Sequence, residues 1–572
     1  MNKDSETPSA LNTALPAKEG AEKYFFRASA EDFKKIPGSP IAYWIKSTHL
    51  FEGEKIGDSF VSGGRNKTHD NGKYLRFFWE VRCHNERWIS YANGGDFRKY
   101  AGNELQHVDW SDKAISFYDS QGGLCNPKYW NKEGITWSLI TSAINSFRIK
   151  PTYSQYSSGS PTIFNEKFQC DKKALAFLNS PISYYYLKAI NPTLNTTVND
   201  VFALPFPDEI IPKMVIKNTD RCIDVSKEDW NAFETSWDFT GLPLLNPDYR
   251  KSTLMASYQK LRTYWQEMTL EMQQLEEENN RIFIEAYGLQ DELTPDVPLH
   301  EITLTCNPHY RYGKNKTEKE YEILQRTDTI KELISYAIGC MMGRYSLDHP
   351  GLIYAHSGNI DFDPLKYKIF PADDDGIIPI MDIDWFKDDA TKKFVEFVKI
   401  AFPPETFDGN LEFIADNLNP KANESPEDTI RRYFSTIFFK DHMKTYKKRP
   451  IYWLFSSGKQ KAFECLVYLH RYNESTLSRM RSSYVTPLQG NISARIEFLD
   501  HEKDSATNAS SQKKIQKQID VLKKKQVELQ SFDDELRHYA DMRISLDLDD
   551  GVKVNYEKFG NLLAEKKAIT GK

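Results

Sequence analysis

Three polar side chains on a glycine turn have the types that hydrogen-bond to nucleic-acid bases and phosphates. Arg65, Asn66 and Lys67 follow a Gly-Gly pair in the string SGGRNKTH at 62–69. Glycine lets a loop adopt backbone conformations that other residues avoid. In a DNA major groove, Arg suits guanine and Asn suits adenine, whereas Lys suits phosphate. The string therefore predicts a loop that contacts DNA.

Further cations and one amide recur along the strand-like runs that follow this loop. The additional candidates for DNA contact are Arg76, Arg82, Arg87, Asn93, Arg98, Lys99, Arg148 and Lys150. An alternative is that they are ordinary solvated charges at strand edges, since the segment 41–215 is nearly balanced in charge. The tryptophans of this segment suit base stacking, but apolar neighbours flank them. We expect them to pack in the core.

A second basic group lies at 440–449. It contributes three more candidates for DNA contact, Lys447, Lys448 and Arg449. Two interpretations are open. These cations either contact phosphates and add sequence-independent affinity, or they pair with the acidic stretch 371–420.

Motifs for methyl transfer are missing from the sequence. An amino-methyltransferase needs an Asn/Asp/Ser-Pro-Pro-Tyr/Phe turn and a glycine-rich turn between a strand and a helix. The strings FPPE (402–405), NPKY (126–129) and NPHY (307–310) each fail that pattern. No phosphate loop or nucleophile elbow is present. We therefore expect no catalytic residue and no cofactor site in this chain. We also expect no metal site, because the seven cysteines form no CxxC pair.

Composition bounds the class of protein. The chain has 572 residues, 40% of them hydrophobic and 13% aromatic, and a formal net charge of −6. Such a chain is globular with several domains, and its nucleic-acid affinity must come from local patches. An odd, unpatterned cysteine count fits a reducing cytoplasm. No apolar run suits a membrane span or a signal peptide, so we expect a cytoplasmic protein without a membrane contact.

The pattern of elements predicts an α+β fold. It combines a mixed α/β recognition domain, a long helical strut and a mainly α-helical C-terminal domain with a helical hairpin. The expected divisions are a polar tail or linker (1–30), the DNA-recognition domain (31–215), a linker with a heptad-patterned helix (216–285), a mixed, mainly helical domain (286–475), the hairpin (476–540) and a C-terminal tail (541–572).

Individual elements are predicted from periodicity and capping. Apolar residues spaced by four and three from Leu254 to Ile282 indicate one long helix with a coiled-coil-like seam, most simply an intramolecular strut. A helix is expected over 173–190, and strands over 74–81 and 134–140. Further predictions concern single positions. They are Ser425 as the N-cap of a helix with Pro426 at its first position, and a kink at Pro487 in the first arm of the hairpin.

Several strings resemble PglX, the adenine-specific DNA methyltransferase family of BREX phage-exclusion systems. DFKKIPGSPIAYW at 32–44 resembles the junction that follows the catalytic domain in that family. Further similar strings follow in the same order: YANGGDFRKY (91–100), EGITWS (133–138), LNS (178–180), NPTLN (191–195), FETSWDF (233–239), KRPIYWL (448–454) and ISLDLDDGVKVN (544–555). The resemblance covers nearly the whole chain beyond residue 20. The SGGRNKTH string departs from the Thr-Gly-Asp-Asn-like segment of the family.

The resemblance implies a function. On this resemblance, we expect the chain to correspond to the recognition and C-terminal half of such an enzyme, without a methyl-transfer domain before the junction. We expect it to bind double-stranded DNA. N6-adenine methylation and S-adenosylmethionine binding would belong to a catalytic half in another chain. That catalytic half and other phage-defence proteins are the expected protein partners. Two alternatives are a free-standing specificity subunit of a restriction-modification-like system and a protein-binding scaffold of the defence complex.

Overall fold

Residues 29–82, 86–142 and 144–572 are described by the computed structural model of the protein. The expected N-terminal tail at 1–30 lies outside the described residues, except for its last two. Three small sheets and many helices make up the described chain. The α+β class is therefore confirmed.

Two four-stranded sheets form the N-terminal part of the described chain, and a three-stranded sheet lies in the C-terminal part. The first sheet has the order β1 (Phe60–Val61), β8 (Thr162–Asn165), β5 (Gly134–Trp137), β6 (Phe147–Lys150), all antiparallel. The second has the order β2 (Leu75–Phe77), β4 (Gln106–Asp109), β3 (Trp88–Ala92), β7 (Ser154–Tyr156), with β3 and β7 parallel. The third has the antiparallel order β10 (Tyr452–Ser456), β11 (Glu464–Tyr468), β9 (Ile377–Pro379).

Helices connect and cover these sheets. Those of the first half are α1 (Ala30–Lys35), α2 (Ile56–Ser59), α3 (Asn71–Tyr74), α4 (Asp112–Ser120), α5 (Lys172–Leu178), α6 (Pro181–Ile190), α7 (Val198–Phe202), α8 (Met214–Asn231) and α9 (Leu254–Tyr287). The later ones are α10 (Pro308–Arg311), α11 (Glu318–Met341), α12 (Ala390–Ala401), α13 (Phe407–Asp416), α14 (Pro426–Tyr433), α15 (Phe439–Thr445), α16 (Thr476–Arg479), α17 (Thr486–Ser505), α18 (Ala509–Asp541), α19 (Gly551–Glu557) and α20 (Lys566–Thr570).

The long helix and the capping prediction are confirmed. Helix α9 contains the whole heptad segment and ends at Gly288, which has a left-handed φ of 67°. Its seam is buried within the chain, against α8 and other helices, as expected of an intramolecular strut. Ser425 caps α14 with a reciprocal Ser425–Asp428 capping box, and Pro426 occupies the first turn.

Three local predictions need correction. The single helix expected over 173–190 is two helices, because Pro181 has no backbone N–H to continue α5 and instead starts α6 behind the N-cap Ser180. The strand expected over 74–81 covers only β2, since a 3₁₀ turn follows it at Phe78–Glu80. The strand expected over 134–140 ends at Trp137.

The helical hairpin is confirmed as the pair α17 and α18. The first arm is disturbed just before Pro487, where Met480–Val485 forms a π-helical stretch. Proline cannot donate the next helical hydrogen bond, and π-turns are one way in which a helix accommodates the defect. The kink near Pro487 therefore takes the form of a π-helical segment.

The main apolar core is continuous across the expected domain boundaries. It extends from Ile36 to Ile569. It includes residues of α9 and residues that lie in or next to each of the three sheets. Two satellite clusters, around Tyr118 and around Tyr156, pack separately from the main core in the N-terminal part. The C-terminal stretch 541–572 also packs in the core, with Tyr556 fully buried.

A short acidic segment before α19 joins the second sheet to the C-terminal part. Asp549 accepts a hydrogen bond from Trp88 Nε1 at 2.7 Å and pairs with Arg87 at 2.5 Å. The buried guanidinium of Arg76 donates to the backbone carbonyls of Asp549 and Asp550, both at 3.1 Å. These contacts lie within the ISLDLDDGVKVN string, so that string anchors the second sheet.

Two buried ion pairs fasten the loop at 94–99 to the long helices. Arg98, 2% exposed, contacts Asp229 of α8 at 2.7 Å, and Lys99 contacts Glu276 of α9 at 2.6 Å. Asp229 also accepts the backbone N–H of Thr305 at 2.7 Å. Removing one member of such a pair leaves an uncompensated buried charge.

Replacing Asp229 by Ala should lower the free energy of unfolding by about 3–5 kcal/mol, because Arg98 would keep a buried charge without a partner. Asp224→Ala is the matched control, since Asp224 is exposed on the same helix, and its effect should stay within about 0.5 kcal/mol. Urea unfolding followed by tryptophan fluorescence measures both. Equal losses in the two variants would show that the Arg98–Asp229 pair is not stabilising.

Candidate nucleic-acid interface

The Gly-Gly pair holds the first predicted loop in a conformation that needs both glycines. A Cβ on Gly63 would lie 2.4 Å from the ring of Tyr129, and Gly64 has a left-handed φ of 88°. The chain therefore passes close to the aromatic cluster and turns outward. Arg65 is exposed at the turn, and Lys67 is half-buried beside it.

Asn66 points the other way, into the protein. Its side chain is 2% exposed, donates to the carbonyl of Tyr156 at 3.1 Å and accepts from the backbone N–H of Cys125 at 3.0 Å. Asn66 thus ties the loop to its neighbours, while Arg65 and Lys67 are the side chains available at its surface.

Five other candidates are buried cations. They are Arg76, Arg98, Lys99, Arg148 and Lys150. Arg148 donates to the carbonyl of Gly94 at 2.9 Å, and burial lowers its pKa to about 10. Lys150 donates to the carbonyl of Lys132 at 2.6 Å, and burial lowers its pKa to about 7. In this fold, the five cations face protein atoms.

Three candidates are partly exposed but engaged within the protein. Arg87 pairs with Asp109 and Asp549. Asn93 donates to Gln106 Oε1 at 2.8 Å and accepts from Ser157 Oγ at 2.7 Å. Arg449 donates to the carbonyl of Lys448 at 2.8 Å, and its own carbonyl accepts from Trp79 Nε1 at 3.1 Å. These bonds orient the loops around them.

The remaining candidates are exposed. Arg82 is exposed directly before 83–85, which lie outside the described residues. Lys447 and Lys448 are exposed on the turn after α15, and both have left-handed φ values, 49° and 59°. Such a conformation costs a residue other than glycine about 1–2 kcal/mol, and strain of this kind often concentrates at functional sites.

A short series of contacts connects the two exposed basic groups. Asn66 and Ser157 form an isolated β-bridge, and Ser157 Oγ donates to Asn93. The same turn then carries Asp96, whose carboxylate lies 3.7 Å from Lys447 Nζ. We call the four exposed or half-exposed cations at the ends of this series the basic strip: Arg65, Lys67, Lys447 and Lys448.

The alternative pairing of the second basic group with the acidic stretch 371–420 is not found in the described part of the chain. The acidic stretch 371–420 pairs instead with Arg431 through Asp389, at 2.7 Å, and with Lys525 through Asp382, at 2.6 Å. Within the described residues, no ion pair joins 440–449 to that stretch.

Core packing of the tryptophans is confirmed. Trp79, Trp88 and Trp137 are at most 4% exposed, and Trp137 Nε1 donates to the carbonyl of Thr196 at 2.8 Å. Trp130 is half-buried in a satellite cluster.

The Asn-Pro turns serve as helix caps. Asn126 Oδ1 accepts from the N–H of Lys128 at 3.0 Å, and Asn307 Oδ1 accepts from the N–H of His309 at 3.1 Å. These side chains are therefore committed to the backbone, so they do not fit the task of holding a target amino group beside a methyl donor.

Over the described ranges, no cluster of three or more His, Cys, Asp or Glu could hold a metal ion, and no helix is long and apolar enough to cross a membrane.

Comparison with known proteins gives two strong similarities. The chain is 44% identical over 571 residues to the adenine-specific methyltransferase BrxX of Escherichia coli O9:H4 (strain HS), covering 94% of this chain and 46% of that protein. It is 35% identical over 568 residues to the adenine-specific methyltransferase PglX of Lacticaseibacillus casei (strain Zhang), covering 94% and 45%. The chain is a homologue of these methyltransferases. It spans about half the length of each. No family model matches the chain.

The buried Lys150 should make stability depend on pH. Burial lowers its folded pKa to about 7, against 10.5 for an ordinary lysine. Between these values the unfolded chain binds a proton that the folded chain does not. The free energy of unfolding should therefore rise with pH across this window, by up to about 1.4 kcal/mol per pH unit from this group, while the penalty is complete below it.

Lys150→Met should remove this contribution, so it should stabilise the protein most below pH 7 and flatten the rise above it. Urea unfolding at several pH values measures the slope. Lys128→Met, at an exposed position, should leave the slope unchanged. A variant slope equal to that of the wild type would mean that Lys150 keeps its charge in the folded protein.

Proposed function

We propose that this chain is the DNA-recognition portion of a PglX-type, N6-adenine-specific DNA methyltransferase of phage defence, and that it binds double-stranded DNA through the basic strip. The similarity to two adenine-specific methyltransferases over 94% of the chain supports the enzyme class. The choice of surface rests on accessibility: Arg65, Lys447 and Lys448 are exposed and Lys67 is half-buried, whereas five of the other candidate cations are buried.

The physical role of the strip follows from charge. With a net charge of −6, the protein as a whole repels DNA, so attraction must come from local cations close to phosphates. Lys447 and Lys448 suit phosphate contact, which positions a protein on a duplex. Arg65, on its glycine turn, suits a base edge, which supplies specificity.

Methyl transfer would be supplied by a catalytic half in another chain or portion of the enzyme, with S-adenosylmethionine bound there. Two features of this chain support that division. The sequence has no amino-methyltransferase turn, and the Asn-Pro turns are used as caps. A recognition portion would then bring the target site to the catalytic half and hold it in register.

The double variant Lys447→Ala/Lys448→Ala should weaken binding to a duplex and reduce its salt dependence. Each lost phosphate contact reduces the slope of log affinity against log salt by about 0.9, hence by about 2 for both. Fluorescence anisotropy with a labelled duplex, over a range of salt concentrations, measures the slope.

The matched control is Lys523→Ala/Lys524→Ala, which removes the same charge from an exposed lysine pair on α18. Its slope should equal that of the wild type. If both pairs reduce the slope equally, binding follows net charge rather than the basic strip. If the wild type does not bind duplex DNA at low salt, the proposed function is wrong.

A methyl-transfer assay tests the proposed division of labour. The purified chain alone should transfer no methyl group from S-adenosylmethionine to adenine in a duplex. Addition of the portion of the E. coli relative that this chain does not match should restore transfer. Methylation by the chain alone would contradict the proposal.

The scaffold alternative has one observation in its favour. The helical hairpin exposes apolar side chains, including Phe498 at 56% and Val527 at 70%, which is typical of a contact surface for another protein. The heptad seam of α9, in contrast, is already covered within the chain. Failure to bind any duplex at every salt concentration tested would favour the scaffold alternative.

A further inference from the structure

A cavity of about 380 Å³ lies where the N-terminal sheets meet the C-terminal helices. Its walls come from the turn at Asp96, from the end of α8 and the residues after it, from α11 and from α15. This volume is within the range of small-molecule sites, about 300–1,000 Å³. The cavity is separate from the basic strip except for Lys447, which belongs to both.

Two buried polar side chains that line the cavity each have an atom without a hydrogen-bond partner. They are Glu234, 9% exposed, with Oε1 unpartnered, and His442, 3% exposed, with Nδ1 unpartnered. Both lie next to Tyr446. Its hydroxyl donates to Glu234 Oε2 at 2.9 Å, and its ring centroid is 4.6 Å from that of His442. Buried polar atoms of this kind normally have partners.

The protonation of His442 is determined by its other nitrogen. Nε2 accepts the backbone N–H groups of Ile451 and Tyr452, both at 3.1 Å. A neutral ring that accepts at Nε2 carries its proton on Nδ1, and burial lowers the pKa of His442 to about 3, so the ring is neutral. Two residues that line the cavity therefore each keep one unpartnered polar atom, an N–H donor at His442 and a carboxyl oxygen at Glu234.

The side walls are aromatic. Trp230, Phe233, Tyr433 and Phe438 line the cavity. Arg98 lies 4.9 Å from the ring centroid of Trp230, and Arg311 lies 5.5 Å from that of Phe233, so cations help to fix both rings. Aromatic walls favour a flat ring as the ligand.

The charges at the cavity are mostly paired. Arg311 contacts Asp328 and Glu332, and Lys331 contacts Asp441 at 3.0 Å. Lys444 differs, because it lines the cavity, is exposed, and makes no ion pair among the described residues. With Lys447 nearby, it provides a cationic edge suited to a phosphate.

We propose that this cavity binds a nucleoside 5′-phosphate, with the base between the aromatic walls, its polar edge on Glu234 and His442, and its phosphate at Lys444. A base edge carries adjacent donors and acceptors, which is the complement that the two unpartnered atoms need. The nucleotide is either free or an unstacked unit of a nucleic-acid strand. The proposal does not depend on duplex binding by the basic strip.

Isothermal titration calorimetry with the four deoxynucleoside 5′-monophosphates tests the site, with inorganic phosphate and the free deoxynucleosides as reference probes. At least one monophosphate should bind with a Kd below about 1 mM, more tightly than its nucleoside or phosphate alone. Glu234→Gln and Lys444→Ala should each weaken it about tenfold, through the base and the phosphate respectively. Lys440→Ala, an exposed lysine of the same helix that does not line the cavity, should bind like the wild type.

Competition by a single-stranded oligonucleotide distinguishes the two sources. Displacement of the monophosphate by the strand indicates that the cavity accepts a nucleotide within a chain, and no displacement indicates a free nucleotide. The proposal is overturned if neither the monophosphates nor the single-stranded oligonucleotide binds. It is also overturned if both cavity variants bind the monophosphate as tightly as the wild type. If Glu234→Gln does not fold, as judged by its thermal unfolding, Lys444→Ala decides. Monophosphate binding without duplex binding would contradict only the function proposed above.

Discussion

A positive charge inside a protein needs a partner, and this requirement joins the N-terminal sheets to distant segments of the chain. Arg76, Arg98 and Lys99 belong to the N-terminal sheets and their loops, and each meets its partner on a distant segment. The partners are the carbonyls of Asp549 and Asp550, the carboxylate of Asp229 and the carboxylate of Glu276. Separating the sheets from the helices would leave Arg98 and Lys99 without their carboxylate partners and would remove two of the hydrogen bonds of Arg76. The N-terminal sheets and the C-terminal helices are therefore joined by more than apolar contact.

The same requirement separates structural cations from those available to a ligand. Many arginines and lysines of the segment 31–215 are used inside the protein, whereas the basic strip combines Arg65 and Lys67 of that segment with Lys447 and Lys448. Backbone geometry supports both of its ends. The glycine pair beside Arg65 is required because the chain passes close to Tyr129 and then adopts a left-handed φ. A strained turn presents Lys447 and Lys448. Charge and backbone constraint thus select the same surface.

The cavity belongs to the same junction. Its walls combine the turn that carries Asp96 with helices from the C-terminal part, so it exists only because the two parts are docked. Arg98 contributes twice, through its pair with Asp229 and through its contact with the ring of Trp230. Lys447 lies at the cavity and in the basic strip. A ligand in the cavity and a duplex on the strip would therefore be neighbours.

The amino-acid sequence by itself determined the local elements and the relationship to the methyltransferases. The helix Leu254–Tyr287, the capping box at Ser425 and the hairpin depend on residues a few positions apart, so periodicity and capping predict them. Periodicity alone predicts one helix over 173–190, whereas Pro181, which lacks a backbone N–H, divides it into α5 and α6. Only the tertiary structure decided which cations are buried. Arg65 and Arg98 both lie beside glycine turns, but the partner of Arg98 is 131 residues away, and no local pattern records a contact at that distance.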